Sequence, residues 1–336
     1  MNRLSVYISP SATRKEGKRR NPYFDRLKQG LSEYFNIYEL DNKPRIMQSW
    51  ALFIHSFKAD IFLLSFVENV AFHRLPFLQT VLVRLSLGII NLRKKSIIFI
   101  FHNPIPHQGH NWLSRYLMNL LLDRAWTVVA HSEETAQIAR SRKGANRVLY
   151  FPHPTENRVE VKPNKEKTDV LLWGTIHPYK GVAEFLSIKG LKQSGLSVKI
   201  IGACPDPELA KRIHSLCTEN ICFEQRWPSM EEIGSLIAGS RFVLMPYLPG
   251  SISGSGALMD TLKYGGSAVG PDIGAFHDLA DLGLCKVYRN PEELMEVLLS
   301  DWKVDNDKLS DYLSAHSWSS FIQALLPFCA LQKNEP

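Results

Sequence analysis

Two rounds of strand–helix alternation, separated by one polar stretch, predict an α/β protein of two Rossmann-like domains facing across a cleft. Three observations carry this. Short runs of Ile, Val, Leu and Phe recur through both halves of the chain. The runs are continuous rather than alternating, as strands covered on both faces of a parallel sheet require. The length, 336 residues, suits two domains better than one.

In the first half the strand runs fall at residues 4–9, 35–40, 61–67, 96–102, 127–132 and 147–152. Helical patterns separate them, for example over 112–125 and 133–142. Residues 156–169 are polar and contain Pro163, which reads as an interdomain linker. The expected domains are therefore 1–157 and 169–336, with the last helix able to pack back on the first domain. In the second half, strands are expected at 170–175, 196–203, 221–225, 242–247 and 267–271. Asp206-Pro207 and Asn290-Pro291 each set a capping residue before proline at the first helical position. Ser229 with Glu232 three residues later reads as a capping box.

Charge is divided between the halves. Residues 1–160 hold 23 Lys/Arg against 12 Asp/Glu, and residues 161–336 hold 17 against 21. A basic half points to an anionic partner, for which an anionic membrane surface or a phosphorylated acceptor are candidates. Nucleic acid is not expected, because the basic residues lack aromatic interleaving and no known nucleic-acid motif is present. The five cysteines are scattered with no C-x-x-C pair, so neither a disulfide framework nor a thiolate zinc site is expected. The N-terminus lacks the apolar core of a signal peptide. A cytoplasmic location is expected, with a peripheral place on the inner membrane face as a variant.

Leu75, Leu78, Val81, Leu82, Leu85, Ile89 and Leu92 form a helical stripe, interrupted by Arg84 and followed by Arg93-Lys94-Lys95. The charges argue against a membrane span. A helix packed on the core and a helix lying in an anionic interface both fit.

Two segments suit anions. In Gly174-Thr175-Ile176-His177-Pro178-Tyr179-Lys180-Gly181 a buried strand ends in glycine, and lysine stands where the next helix is expected. Its ammonium and the helix N–H groups can share an anion, although a surface lysine beside a turn fits the same pattern. In the second segment a strand runs into Ser253-Gly254-Ser255-Gly256 and then a helix. Such a loop exposes backbone donors able to wrap a diphosphate. Asp260, one turn inside that helix, can accept hydrogen bonds from ribose hydroxyls. A flexible loop and an exposed helix acid are the plainer alternatives.

These segments resemble the GT-B glycosyltransferases of bacterial polysaccharide biosynthesis. Gly174…Lys180-Gly181 is similar to their G-x-x-x-x-x-K-G segment, and Ser255 to Asp260 to their nucleotide-sugar helix. His102-Asn103-Pro104-Ile105-Pro106-His107 and Ala130-His131-Ser132-Glu133 resemble segments of their first domain. The resemblance implies transfer of a sugar from a nucleotide diphospho-sugar, held by the second domain, to a lipid-linked or glycan acceptor held by the first. Residue by residue, it implies a donor site of Gly174, Thr175, His177, Lys180, Ser253, Gly254, Ser255, Gly256 and Asp260. In the family's usual pair of carboxylates, Asp260 takes the second place and Ile252 stands at the first, which leaves retention or inversion open. An inverting enzyme needs a base for the acceptor hydroxyl. His107, His110 and Glu68 are the candidates, each after or near a strand end of the first half. No cofactor is expected. No metal is expected either, because Lys180 and helix N-termini can stabilise the leaving diphosphate. An epimerase and a catalytically inactive partner subunit of the same architecture are the alternatives.

Overall fold

The computed structural model describes residues 3–10, 22–38, 48–104, 111–165, 167–249 and 254–330. The chain divides into two compact units, Met1–Pro152 with Trp318–Pro336, and His153–Ser317.

The first unit runs β1 (Ser5–Ser9), α1 (Pro22–Ser32), β2 (Asn36–Tyr38), α2 (Gln48–His55), β3 (Ile61–Leu64), α3 (Pro76–Leu92), β4 (Ser96–Phe101), α4 (Trp112–Arg124), β5 (Thr127–Ala130), α5 (Glu133–Lys143) and β6 (Val148–Tyr150). Its strands form one parallel sheet in the order β2-β1-β3-β4-β5-β6. Every residue of β3 and β4 is buried, as the continuous apolar runs require. Successive side chains point to opposite faces. Tyr7, Phe62, Phe99 and Val128 thus join the core under α2 to α5, while Val6, Ile61, Ile98 and Val129 join the core on the other face.

The second unit runs β7 (Thr168–Trp173), α6 (Val182–Leu186), β8 (Val198–Ile201), α7 (Pro207–Leu216), β9 (Ile221–Glu224), α8 (Met230–Gly239), β10 (Ser240–Leu244), α9 (Gly256–Lys263), β11 (Ala268–Pro271), α10 (Gly274–Asp281), β12 (Cys285–Tyr288), α11 (Pro291–Leu299) and α12 (Asn306–Ala315). Its sheet is also parallel, in the order β12-β11-β10-β7-β8-β9. Strand order reverses between β7 and β10, which fixes where a ligand crevice can open. The proline-bearing caps form. Asp206 accepts from the N–H of Glu208 and Leu209 at 3.0 and 3.2 Å, and Asn290 from that of Glu293 at 2.8 Å. Only one arm of the Ser229 capping box forms. Ser229 accepts from the N–H of Glu232 at 3.1 Å, but the Glu232 carboxylate turns to the Arg226 guanidinium at 2.9 Å.

The last helix, α13 (Trp318–Ala330), belongs to the first unit. Phe321, Ile322, Leu325 and Cys329 complete the core that α1 begins with Tyr23, Phe24, Leu27 and Leu31. Gly30 lets the two helices meet, because a Cβ there would lie 2.6 Å from Ile322 Cγ1.

Three expectations change. Residues 156–169 are not a linker between units. They run along the second unit, where Val159 N–H donates to Lys263 O and Asn164 N–H to Ser235 O, both at 2.9 Å. The boundaries accordingly fall at 152/153 and 317/318 rather than at 157 and 169. β12 was not expected, and its alternation of buried Cys285 with exposed Lys286 suits the edge strand that it forms.

Candidate functional site

The loops after β7 and β10 meet at the switch point of the second sheet. Gly174, just past β7, has φ +96°, a conformation that side chains resist. The chain then makes a 3-10 turn at Pro178–Lys180 and passes through Gly181 at φ +65°. A Cβ on Gly181 would strike the carbonyl oxygen of Pro246, so glycine is what lets the two loops touch. Leu248 N–H donates to Tyr179 O at 2.9 Å and ties them together. His177 stacks on Tyr179 with centroids 5.7 Å apart, and Tyr179 on Tyr247 at 6.2 Å.

Lys180 is folded back over this junction. Its Nζ would stand 3.2 Å from a Cβ on Gly174 and lies 5.9 Å from the centre of the Tyr247 ring. Among the described residues no carboxylate pairs with it. Burial pulls its pKa down to about 8, so it remains mostly protonated at pH 7. Burial, and then the neighbouring Lys180 charge, hold His177 below the usual histidine range. A small cavity under the ammonium is lined by Trp173, Ile176, Met245 and Tyr247, among others. A half-buried cation without a counter-ion among the described residues suits an incoming anion.

The second loop is placed differently from expectation. Ser255 is buried and is the N-cap of α9. Its Oγ accepts from Leu258 N–H at 3.2 Å and lies 3.0 Å from the Tyr247 hydroxyl, so its oxygen serves the fold. Gly254 and exposed Gly256 flank it, and Asp260 is half-buried in the second turn of α9. Thr175 is half-buried in the β7 loop. The helix after Lys180 is α6, only five residues long, so its dipole adds little to the lysine. Ser253 lies outside the described residues.

In the first unit, Glu68 stands in a 3-10 turn, Val67–Phe72, just beyond the carboxyl end of β3. Its side chain is buried, with no hydrogen-bond partner for Oε2 among the described residues, and burial raises its pKa to about 7. His107 and His110 lie outside the described residues. His131 accepts from or donates to Tyr23 Oη through Nε2 at 2.8 Å and meets Phe151 O through Nδ1 at 2.7 Å. The carbonyl can only accept, so Nδ1 carries a proton toward Phe151 O. His102 stacks flat on Phe66 at 4.5 Å. Ser132 caps α5 by accepting from Thr135 N–H at 3.3 Å.

No protein-family model matches the chain, and no curated protein sequence matches it. Solved structures do. Sucrose-phosphate synthase from Thermosynechococcus elongatus superposes with TM-score 0.66 at 11% identity, covering 97% of this chain and 98% of its own. AviGT4, a glycosyltransferase involved in avilamycin A biosynthesis, gives 0.62 at 13% identity and covers 99% of each chain. A glycosyltransferase from Rickettsia africae gives 0.60 at 11% identity and covers 100% of each. The chain has the GT-B fold.

Within the GT-B second unit, sequence reasoning missed two neighbours of the loops. Tyr247 links them, through its ring to Tyr179 and its hydroxyl to Ser255. His153 Nε2 lies 4.0 Å from where a Cβ on Gly256 would stand, at the start of α9. Its Nδ1 is 3.0 Å from Pro154 O, and burial lowers its pKa to about 4, so it is neutral. The prolines on either side of His153 were the available signal. The sequence also contains a D-x-D triplet, Asp305-Asn306-Asp307, a spacing that can hold a metal-bound diphosphate. Here it is a helix start, where Asp305 caps α12 by accepting from Asp307 and Lys308 N–H at 3.0 and 3.1 Å. No group of three His, Cys, Asp or Glu able to hold a metal occurs among the described residues.

Proposed function

We propose that this protein is a glycosyltransferase that moves a sugar from a nucleotide diphospho-sugar to a hydroxyl of a lipid-linked or polysaccharide acceptor. The observation that carries the reading is Lys180, a cation without a described counter-ion at the β7/β10 switch point. The diphosphate lies against this ammonium, Gly174 and the start of α9 at Gly256, and Asp260 takes the ribose hydroxyls. Thr175, His177 and Gly254 border the same place. As the glycosidic bond breaks, negative charge collects on the diphosphate, and Lys180 stabilises it without a metal. Metal-independence thus follows from the lysine and is part of the proposal.

The acceptor belongs to the first unit. Glu68, poised near neutrality, is the described candidate to take the acceptor proton, with His107 and His110 as the others. The protein works in the cytoplasm, at the inner face of a membrane where its acceptor is lipid-linked.

A thermal-shift screen with nucleoside diphosphates tests the donor site. Stabilisation by one nucleotide, lost in Lys180→Ala, is the expected result. Equal stabilisation of the wild type and Lys180→Ala would move the donor site elsewhere, and no stabilisation by any nucleotide would remove the reading.

A further inference from the structure

Helix α3 is apolar on two faces, and Val83, Leu87 and Ile90 pack it on the core of the first unit. Its buried face includes Gln79, Thr80 and Ser86, each bonded to a backbone carbonyl close by in sequence: Arg74 O at 2.6 Å, Pro76 O at 2.8 Å and Leu82 O at 2.7 Å. Its outer face carries Phe77, Leu78, Val81, Leu85 and Leu92, between 50% and 84% exposed. The apolar stripe of the sequence is therefore the exposed one, and it does not pack on the core. Trp112, 67% exposed at the start of α4, extends it, with its ring 5.8 Å from that of Phe77. Single exposed apolar residues are ordinary, but a continuous stripe marks an interaction surface.

Charge selects the partner. Residues 48–116 hold seven Lys/Arg and only two Asp/Glu. Of the two acids, Glu68 is buried and Asp60 is held by Lys95 at 2.7 Å. Exposed Arg74 and Arg84 lie at the stripe and Lys94 at its end. A second copy docked here about a two-fold axis would set these cations against themselves. An anionic surface with an apolar interior satisfies both features. At 17 residues α3 is too short to span, and no helix among the described residues is long and apolar enough to cross a membrane. We propose that α3 lies flat in an anionic phospholipid bilayer, its stripe at the acyl boundary and its cations among the headgroups. This rests on the membrane part of the proposed function and names the surface that performs it.

Co-sedimentation of the full chain tests it, with vesicles of phosphatidylcholine alone or mixed with phosphatidylglycerol, and with no donor or acceptor present. Binding is expected to the mixed vesicles and to fall with added salt. Leu78→Glu with Leu85→Glu should weaken it at least tenfold. Arg84→Gln with Lys94→Gln should weaken it about 25-fold, since each basic residue near an anionic bilayer is worth about fivefold. Both double variants alter exposed side chains and should keep the wild-type melting temperature. Equal binding to the two vesicle types, or wild-type binding by both variants, overturns the proposal. So does a dimer in solution that Leu78→Glu with Leu85→Glu splits while vesicle binding persists. Because no sugar donor is present, failure to dock and failure to transfer sugar are read separately.

Discussion

Lys180 and Glu68 are both shifted by burial, in opposite senses and toward neutral pH. Burial disfavours charge, so the ammonium loses its proton more easily and the carboxyl holds its own more tightly. If Glu68 must be ionised and Lys180 protonated, kcat/KM should follow a narrow bell with its maximum between about pH 7 and 8. Steady-state profiles on wild type and Glu68→Gln decide this; an acidic limb that survives in Glu68→Gln assigns the base to another group. Glu68 also makes a stability prediction. Its folded pKa lies above the unfolded value, so the native state binds the extra proton between about 4.5 and 7, and stability falls as pH rises through that window. Glu68→Gln should flatten that slope and melt above the wild type at pH 8. Lys180→Ala should cut turnover by about 10²–10³-fold, the scale of losing one preorganised donor to a developing anion. Lys180→Arg should rescue poorly, because a planar fork does not replace a point charge in a tight fold-back. Asp260→Ala should weaken nucleoside-diphosphate binding by about 1.5–3 kcal/mol if the carboxylate holds the ribose. Calorimetry with a dideoxy nucleotide, which should not tell mutant from wild type, checks that assignment.

Elements differ in how much of them the sequence reveals. Strands and capped helices were legible because their signals are local: continuous apolar runs for β3 and β4, Asp-Pro and Asn-Pro for α7 and α11. The orientation of α3 was not legible. Periodicity finds a stripe but does not say which side faces the core, and short polar residues that bond their own helix carbonyls can be buried at little cost. The role of Ser255 was hidden for a related reason. A serine before a helix reads equally as a phosphate donor or as a cap, and only the burial of Tyr247 beside it decides. The destination of α13 rests on contacts hundreds of residues apart in sequence, such as Gly30 with Ile322. Phe321, fully buried between α1 and the first sheet, gives that element its test. Phe321→Ala should cost about 3–5 kcal/mol, read as a lower denaturant midpoint with little change in slope.

At the scale of the molecule, two parallel sheets with reversing strand order were foreseeable from the double alternation, whereas the boundaries were not. The polar stretch at 156–169 looks like a tether because its side chains are charged. Its backbone is nevertheless spoken for, at Val159 and Asn164, by the second unit. The split of charge also survives as a split between units: residues 1–152 with 318–336 hold 23 Lys/Arg against 11 Asp/Glu, and residues 153–317 hold 17 against 22.

The return of α13 makes the first unit discontinuous, and this sets an order in time. A ribosome delivers β1 to β6 first, with one face of their sheet covered, among the described helices, by α1 alone until residue 318 has been made. The second unit, contiguous from His153 to Ser317, is complete before then. The nascent first unit must therefore wait, with Val6, Ile61 and Ile98 short of their last helix, through the synthesis of an entire neighbour. Such a waiting apolar face is what chaperones bind. A chain released at residue 317 should remain bound to them, with its second unit protected from protease and its first unit cut.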